Sequence, residues 1–211
     1  MAYDLEEQEK LDAIRDWWAQ YGALIVSLFV AAAIAVVGYR GWQWYQGHKA
    51  SQAMGYYEAL EASAQRDDDK ALERLKAASK TLQDDFPRSG YTVRGALLAA
   101  QALQARDDLD GAAKQLRWIL DHHESPAFVD LAKLRLGGIL MAQEKYDDAL
   151  KILESPSEPF AGLFADRRGD ILLAQGQAEQ AREQWETALQ ALEQESISQV
   201  VRLKLDALRG G

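Results

Sequence analysis

Residues 136–153 read LGGILMAQEKYDDALKIL, and this stretch decides the fold. Gly137 is followed three positions on by Leu140; further along stand Ala149 and, four positions later, Leu153. Apolar residues three and four apart share one face of a helix, so the stretch reads as two helices. The small residues let the two helices lie close and antiparallel, and the large residue four positions beyond the alanine fills the gap between them. The same step recurs in both directions. Residues 109–116, LDGAAKQL, align with residues 146–153, YDDALKIL, and Ala71-x3-Leu75 and Ala181-x3-Trp185 repeat it. The anchoring alanines are Ala71, Ala112, Ala149 and Ala181, spaced 41, 37 and 32 residues apart. Twelve positions before each stands a small residue: Ala59, Ala100, Gly137 and Gly169.

The unit resembles the tetratricopeptide pattern, a helix pair of about 34 residues with L-G-x2-Y in its first helix and A-x3-F in its second. Residues 136–153 match it best. Gly169-x2-Leu172 followed by Ala181-x3-Trp185 comes next, with Arg168 in place of the leucine, and the first two units depart further. Breaks fall at Asp67-Asp68-Asp69, Asp84-Asp85-Phe86-Pro87, Asp107-Asp108, Ser125-Pro126, residues 155–159 and Gly176. No run of β-branched residues alternates with period two, so no sheet is expected. The uneven spacing predicts longer loops and an imperfect solenoid. The apolar face of Ile197, Val200, Val201, Leu205 and Leu208 would cap the last repeat, because an open end exposes core. The competing reading is an irregular helical bundle in which the alanines coincide.

Ahead of the repeats, residues 17–39 carry no charged side chain, and residues 22–38 read GALIVSLFVAAAIAVVG. At 1.5 Å per residue the uncharged stretch covers roughly 30 Å, the thickness of a bilayer's hydrocarbon layer. Trp17, Trp18 and Tyr21 stand at one end and Tyr39, Trp42, Trp44 and Tyr45 at the other. Amphipathic rings favour the headgroup level, so paired aromatic belts mark a span in a lipid bilayer. A cleaved signal peptide fits poorly: its leading region should be basic, whereas Asp4, Glu6, Glu7, Glu9, Asp12 and Asp16 stand here. Lys10 and Arg15 before the span balance Arg40 and Lys49 after it, so local charge does not orient the helix. Residues 5–20 read either as a short amphipathic surface helix or as an extension of the span. The expected fold class is thus all-α: a single N-terminal transmembrane helix followed by a tetratricopeptide-like α-solenoid of three to four helix pairs. The expected domains are an acidic tail over 1–20, the span over 21–40 and the repeats over 41–211.

Composition narrows the function. The chain has a net charge of -9, and the acidity extends beyond the tail: the segment after Lys49 holds 20 basic and 27 acidic residues. A nucleic-acid binder needs a basic patch for phosphates, and none is apparent. Cysteine is absent, which removes disulfides and thiolate metal sites. Neither a phosphate-cradling glycine loop nor a G-x-S-x-G elbow occurs. His122-His123-Glu124 reads as a solvated loop, since adjacent helix residues diverge by about 100° and the remaining histidine, His48, is distant. Arg168-Gly169-Asp170 matches an adhesion tripeptide but lies in a helix beside a packing glycine, and Asp67–Asp69 reads as a solvated turn. No cofactor, metal or catalytic residue is expected.

The order of parts carries a more specific resemblance. An acidic tail runs through an aromatic pair into a glycine-flanked span, a W-x-W-Y exit at 42–45 and then the repeats. The best local match is residues 165–173, ADRRGDILL, followed by Gly176 and Ala181-Arg182-x2-Trp185-Glu186. The chain resembles the YfgM-like family of Gram-negative bacteria, ancillary subunits of the SecYEG translocon, over nearly its whole length. The resemblance implies an inner-membrane protein with a cytoplasmic N-terminus and a periplasmic C-terminal domain. It also implies partnership with the translocon and with a membrane-anchored periplasmic prolyl isomerase, and a role in passing newly exported client chains to periplasmic chaperones. It supplies no catalytic residues. Two other classes compete: a membrane-bound regulatory adaptor of an envelope stress response, working through the cytoplasmic tail, and an enzyme whose site lacks a familiar pattern.

In a tetratricopeptide unit the first helix of each pair lines the concave face. Counted from the anchor alanines, the inward positions are Tyr56, Leu60, Arg94, Leu97, Gln101, Leu131, Leu134, Met141 and Asp170. The mixture suits a helix or extended peptide. Tyr56 and Arg94 are the expected anchors, because aromatic and guanidinium groups dominate hot spots. Leu131 and Leu134 read equally well as core.

Overall fold

Helices stop where the acidic, proline and glycine breaks fall. The computed structural model describes residues 2–192 and 196–209. No strand occurs among them, and nine helices follow one another: α1 (Ala2–Ala64), α2 (Asp69–Asp85), α3 (Gly90–Gln104), α4 (Leu109–His122), α5 (Pro126–Ala142), α6 (Tyr146–Ile152), α7 (Ala161–Ala174), α8 (Ala178–Ala191) and α9 (Ser198–Arg209). A 3-10 turn, Glu158–Phe160, precedes α7. The chain forms two compact units, residues 1–51 and 52–211.

The first unit is the long apolar part of α1. Residues 5–20 continue the helix of the span, as the extension reading has it. The side chains of Asp4, Glu6, Glu7 and Glu9 lie outside the described residues. This helix is long and apolar enough to cross a membrane. All seven belt residues, Trp17, Trp18, Tyr21, Tyr39, Trp42, Trp44 and Tyr45, are exposed on it, as are Leu28, Phe29, Ile34 and Val37 between them. Tyr21 and Tyr39 are separated along the axis by about 27 Å at helical rise, so their rings can sit at the two headgroup levels.

In the second unit, three antiparallel pairs, α3/α4, α5/α6 and α7/α8, are closed by one repeated turn. Asp107, Glu144 and Gly176 stand five residues before the anchors Ala112, Ala149 and Ala181, and all three have positive φ (60, 58 and 78°). The next residue's N–H then donates to a carbonyl in the last turn of the preceding helix: Asp108 to Leu103, Lys145 to Leu140 and Gln177 to Leu172, each at 2.9 Å. These are left-handed helix-ending turns, which fold the second helix back onto the first. The same register before Ala71 is Arg66, which does not take this conformation. The first pair is correspondingly open: α2 packs on α3, and α1 and α2 do not approach as the later pairs do.

All four anchor alanines are fully buried. Ala100, Gly137 and Gly169 are buried opposite them, but Ala59 is exposed, because the open first pair never brings it against α2. A methyl group on Gly137 would lie 3.0 Å from Leu153 Cδ1, and one on Gly169 would lie 2.5 Å from Trp185 Cδ1. Each glycine thus faces the large residue four beyond its anchor. One core cluster runs from Ala53 and Leu60 through α2–α6 to Phe164 and Ile171; a second joins Ala165, Leu172, Trp185 and Leu192 to Val201 and Leu205 of α9. The terminal helix caps the array through Val201 and Leu205, with Ile197 and Leu208 half-buried. Val200 is the exception to the expected apolar face and is exposed.

Helix α6 has 7 residues, against 14 each in α4 and α8. Ser155, at φ 51°, breaks the helical path, Pro156 prevents its renewal, and Pro159 stands in the first turn of the 3-10 helix that leads into α7. The buried carboxylate of Asp130 on α5 secures this segment by accepting from the Ser157 N–H at 3.0 Å and from its hydroxyl.

Two acidic breaks are helix caps. Asp68 accepts from Ala71 N at 2.8 Å, and Asp108 accepts from Gly111 N at 2.9 Å while pairing with Lys76 at 2.9 Å. Lys76, then the Gly111 N–H, hold the Asp108 carboxyl below the usual carboxylate range. A depressed carboxyl stabilises the fold above its unfolded pKa of about 3.9, and that contribution disappears as pH falls through the lower folded value. Asp108→Ala should therefore cost about 1 kcal/mol at neutral pH. The gap to wild type should close below pH about 3.9, as read from denaturant melts across pH.

Candidate binding face

The first helices of successive pairs lie side by side, α3 against α5 and α5 against α7. Counted from the anchors, Leu131, Leu134, Arg135, Gly138 and Met141 on α5 correspond to Leu163, Asp166, Arg167, Asp170 and Leu173 on α7. The same positions on α3 are Arg94, Leu97, Leu98, Gln101 and Gln104. These spacings of three and four place each set on one helix face, and the three faces adjoin.

The expected residues divide on this surface. Arg94 and Gln101 are exposed, and Leu131, Leu134 and Met141 are half-buried, packing on the core below and showing one edge to solvent. Leu60 and Leu97 are corrections. Leu60 is 0% exposed, because the open first pair turns its helix face onto α3, with Leu60 Cδ1 beside Gly95. Leu97 is 9% exposed, and the Arg135 guanidinium reaches across to donate to its carbonyl at 3.3 Å. Tyr56 is 42% exposed and stands against Phe86, with ring centroids 5.8 Å apart. Asp170 is on the face but already engaged: Lys204 of α9 pairs with both Asp170 and Asp166 at 2.6 Å, and Arg167 stands 3.7 Å from Asp170.

Arg135 and Arg167 escaped the position count because they lie one step beyond the inward positions. Their signal was repetition: they occupy equivalent registers of consecutive repeats. Each reaches back over the preceding first helix, Arg135 to Leu97 of α3 and Arg167 to within 3.6 Å of where a Gly138 methyl would stand on α5. Lys204 does the same from α9 to α7.

The remaining polar groups are structural. Arg168 donates to the Leu153 carbonyl and to Gln184, and burial pushes its guanidinium pKa down. Its place among packed helices removes the adhesion reading of residues 168–170. His122 ends α4 stacked on Trp118, while His123, expected in a solvated loop, is half-buried between Trp118 and Phe128. Among the described residues no three His, Asp or Glu side chains group as a metal site.

Stacked helix pairs whose first helices adjoin, in a chain with a membrane-length helix, define a tetratricopeptide-like repeat protein that fits membrane anchorage. The family model for the tetratricopeptide repeat-like domain matches residues 15–210. Over 99% of its length the chain is 32% identical to the whole of the ancillary SecYEG translocon subunit of Neisseria gonorrhoeae, and 28% identical to the whole of that of Haemophilus influenzae. Over 96% of both chains it is 26% identical to the protein of the same name from Escherichia coli. The chain belongs to the family of ancillary SecYEG translocon subunits.

Proposed function

We propose that this protein is a membrane-anchored, non-enzymatic binding subunit of the SecYEG translocon. It holds newly exported chains on the inner face of its repeats and passes them to periplasmic chaperones. The anchor is the span of residues 21–40 in a bacterial inner membrane. The tail before it is cytoplasmic, and the repeats from residue 41 onward are periplasmic, beside a membrane-anchored prolyl isomerase. The observation that carries this reading is the face of α3, α5 and α7, which offers Leu131, Leu134, Met141 and the exposed guanidinium groups of Arg94 and Arg135 in a protein whose relatives are translocon subunits. A surface of half-covered leucines with polar donors grips peptides through side-chain pockets and charge. It has no converging nucleophile and base with which to turn a substrate over.

The test places a photo-activated cross-linker at Met141 and, as control, at Arg117 on α4, in intact membranes carrying a stalled exported chain. Met141 should yield adducts with the exported chain, and Arg117 should not. A periplasm-specific reporter fused after Gly211, outside the described residues, should be active. Equal adducts from both positions would remove the inner face from the function, and an inactive but stably made fusion would reverse the topology.

A further inference from the structure

The inner face carries a ladder of cations whose counter-ions all gather at one end. Arg135 of α5, Arg167 of α7 and Lys204 of α9 each reach back over the preceding first helix. On the last rung Lys204 finds two carboxylates, Asp166 and Asp170. On the first, Arg135 finds only a neutral backbone carbonyl, at 3.3 Å. On the middle rung Arg167 stands 3.7 Å from an Asp170 already held by Lys204, and its Nε is buried without a hydrogen-bond partner. Arg94, on the adjoining face of α3, is exposed and makes no ion pair or hydrogen bond among the described residues. Helix α3 contains no acidic residue, and the one carboxylate of α5, Asp130, is buried in its bonds to Ser157. A protein of net charge -9 therefore presents, on α3, α5 and the start of α7, a face whose uncommitted charges are all positive.

We propose that this face binds an acidic, leucine-rich peptide segment, whose carboxylates pair with Arg94, Arg135 and Arg167 while its apolar side chains cover Leu131, Leu134 and Met141. The last rung shows the pairing within the chain itself: a carboxylate at the register of Leu134 or Gly138 meets the cation of the next helix at 2.6 Å. A ligand supplies to α3 and α5 what Asp166 and Asp170 supply to α7. Guanidinium groups with idle donors favour carboxylates through paired, charge-assisted hydrogen bonds. The proposal rests on the inner face being the binding face and specifies which segments it selects.

The test uses the full chain in detergent and fluorescent peptides of about twelve residues, enough to cross adjoining helices, alternating leucine with glutamate, glutamine or lysine. Anisotropy should show the glutamate peptide binding about tenfold or more tighter than the glutamine peptide, with its affinity falling as salt rises from about 50 to about 500 mM. The lysine peptide should not bind. Arg135→Gln and Arg94→Gln should each weaken the glutamate peptide by about three- to tenfold with an unchanged circular dichroism melt. Arg94→Gln disturbs no internal contact, and Arg117→Gln on α4 should have no effect. Equal affinity for the glutamate and glutamine peptides would overturn the acidic preference while leaving the inner face as the binding face. No peptide binding, or binding insensitive to both arginine changes, would overturn the proposal outright. Arginine-dependent capture of phosphatidylglycerol vesicles without peptide binding would assign the face to lipid headgroups instead.

Discussion

Trp185→Ala should destabilise the repeat unit by about 3–5 kcal/mol, the cost of emptying a large buried aromatic site. Trp185 is the largest fully buried side chain and is 2% exposed. It packs over Gly169, donates its indole N–H to the Asp166 carbonyl at 3.1 Å, and lies 5.7 Å from the Lys204 ammonium. Its removal leaves a cavity between α7 and α8 and a loosened attachment for α9. A thermal melt of the full chain in detergent should lose roughly 10 °C, given about 2–4 °C per kcal/mol for a unit of this size. The exposed apolar residue Leu203 supplies the control: Leu203→Ala should shift stability by no more than about 0.5 kcal/mol. A wild-type melt for Trp185→Ala would show that α7 and α8 are not packed through this side chain.

Adding a single methyl group should produce the next largest effect. Gly169→Ala places a Cβ against the rigid indole of Trp185, 2.5 Å from Cδ1, and should cost about 1–3 kcal/mol through overpacking. Gly137→Ala meets Leu153 at 3.0–3.2 Å, where a leucine can yield, and should cost less. Gly138→Ala, on the same helix, meets only the Arg167 guanidinium at 3.6 Å, an ordinary contact. There the gain in helix propensity should prevail, by up to about 1 kcal/mol. Gly137 and Gly138 are neighbours with one intrinsic propensity, so opposite shifts in denaturant midpoint would isolate packing as the cause. A destabilised Gly138→Ala together with a neutral Gly169→Ala would contradict the helix pairing.

The repeats were legible because burial at an anchor alanine depends on one local rule. Ala71, Ala112, Ala149 and Ala181 are all sealed, and Gly137 and Gly169 lie under Leu153 and Trp185. The first pair was misread where that rule meets a second: the return turn requires a left-handed residue, and position 66 does not adopt one. Ala59 is consequently exposed and Leu60 buried, the reverse of their count from the anchor. On α3, Arg94 and Gln101 are exposed, as helical period alone leads one to expect. Leu97, by contrast, is buried in the core that the helix pairs share. The engagement of Asp170 was likewise hidden, since Lys204 lies 34 residues away. Contacts between repeats depend on how the pairs stack, which periodicity within one helix does not encode.

The shortness of α6 has a mechanical consequence. In a stacked array each layer is braced only by its neighbours, and stiffness is set by the layer with the least bracing. Two turns of α6 support α5, where α4 and α8 give their partners four. Beyond α6 the segment is held by Asp130 and Ser157 rather than by a packed helix face. If a client chain is gripped on α3, α5 and α7 as proposed, the bending load it applies would concentrate at the third layer. Such a grip would widen or narrow there by flexing one compliant joint, while the layers on either side keep their shape and no helix has to melt.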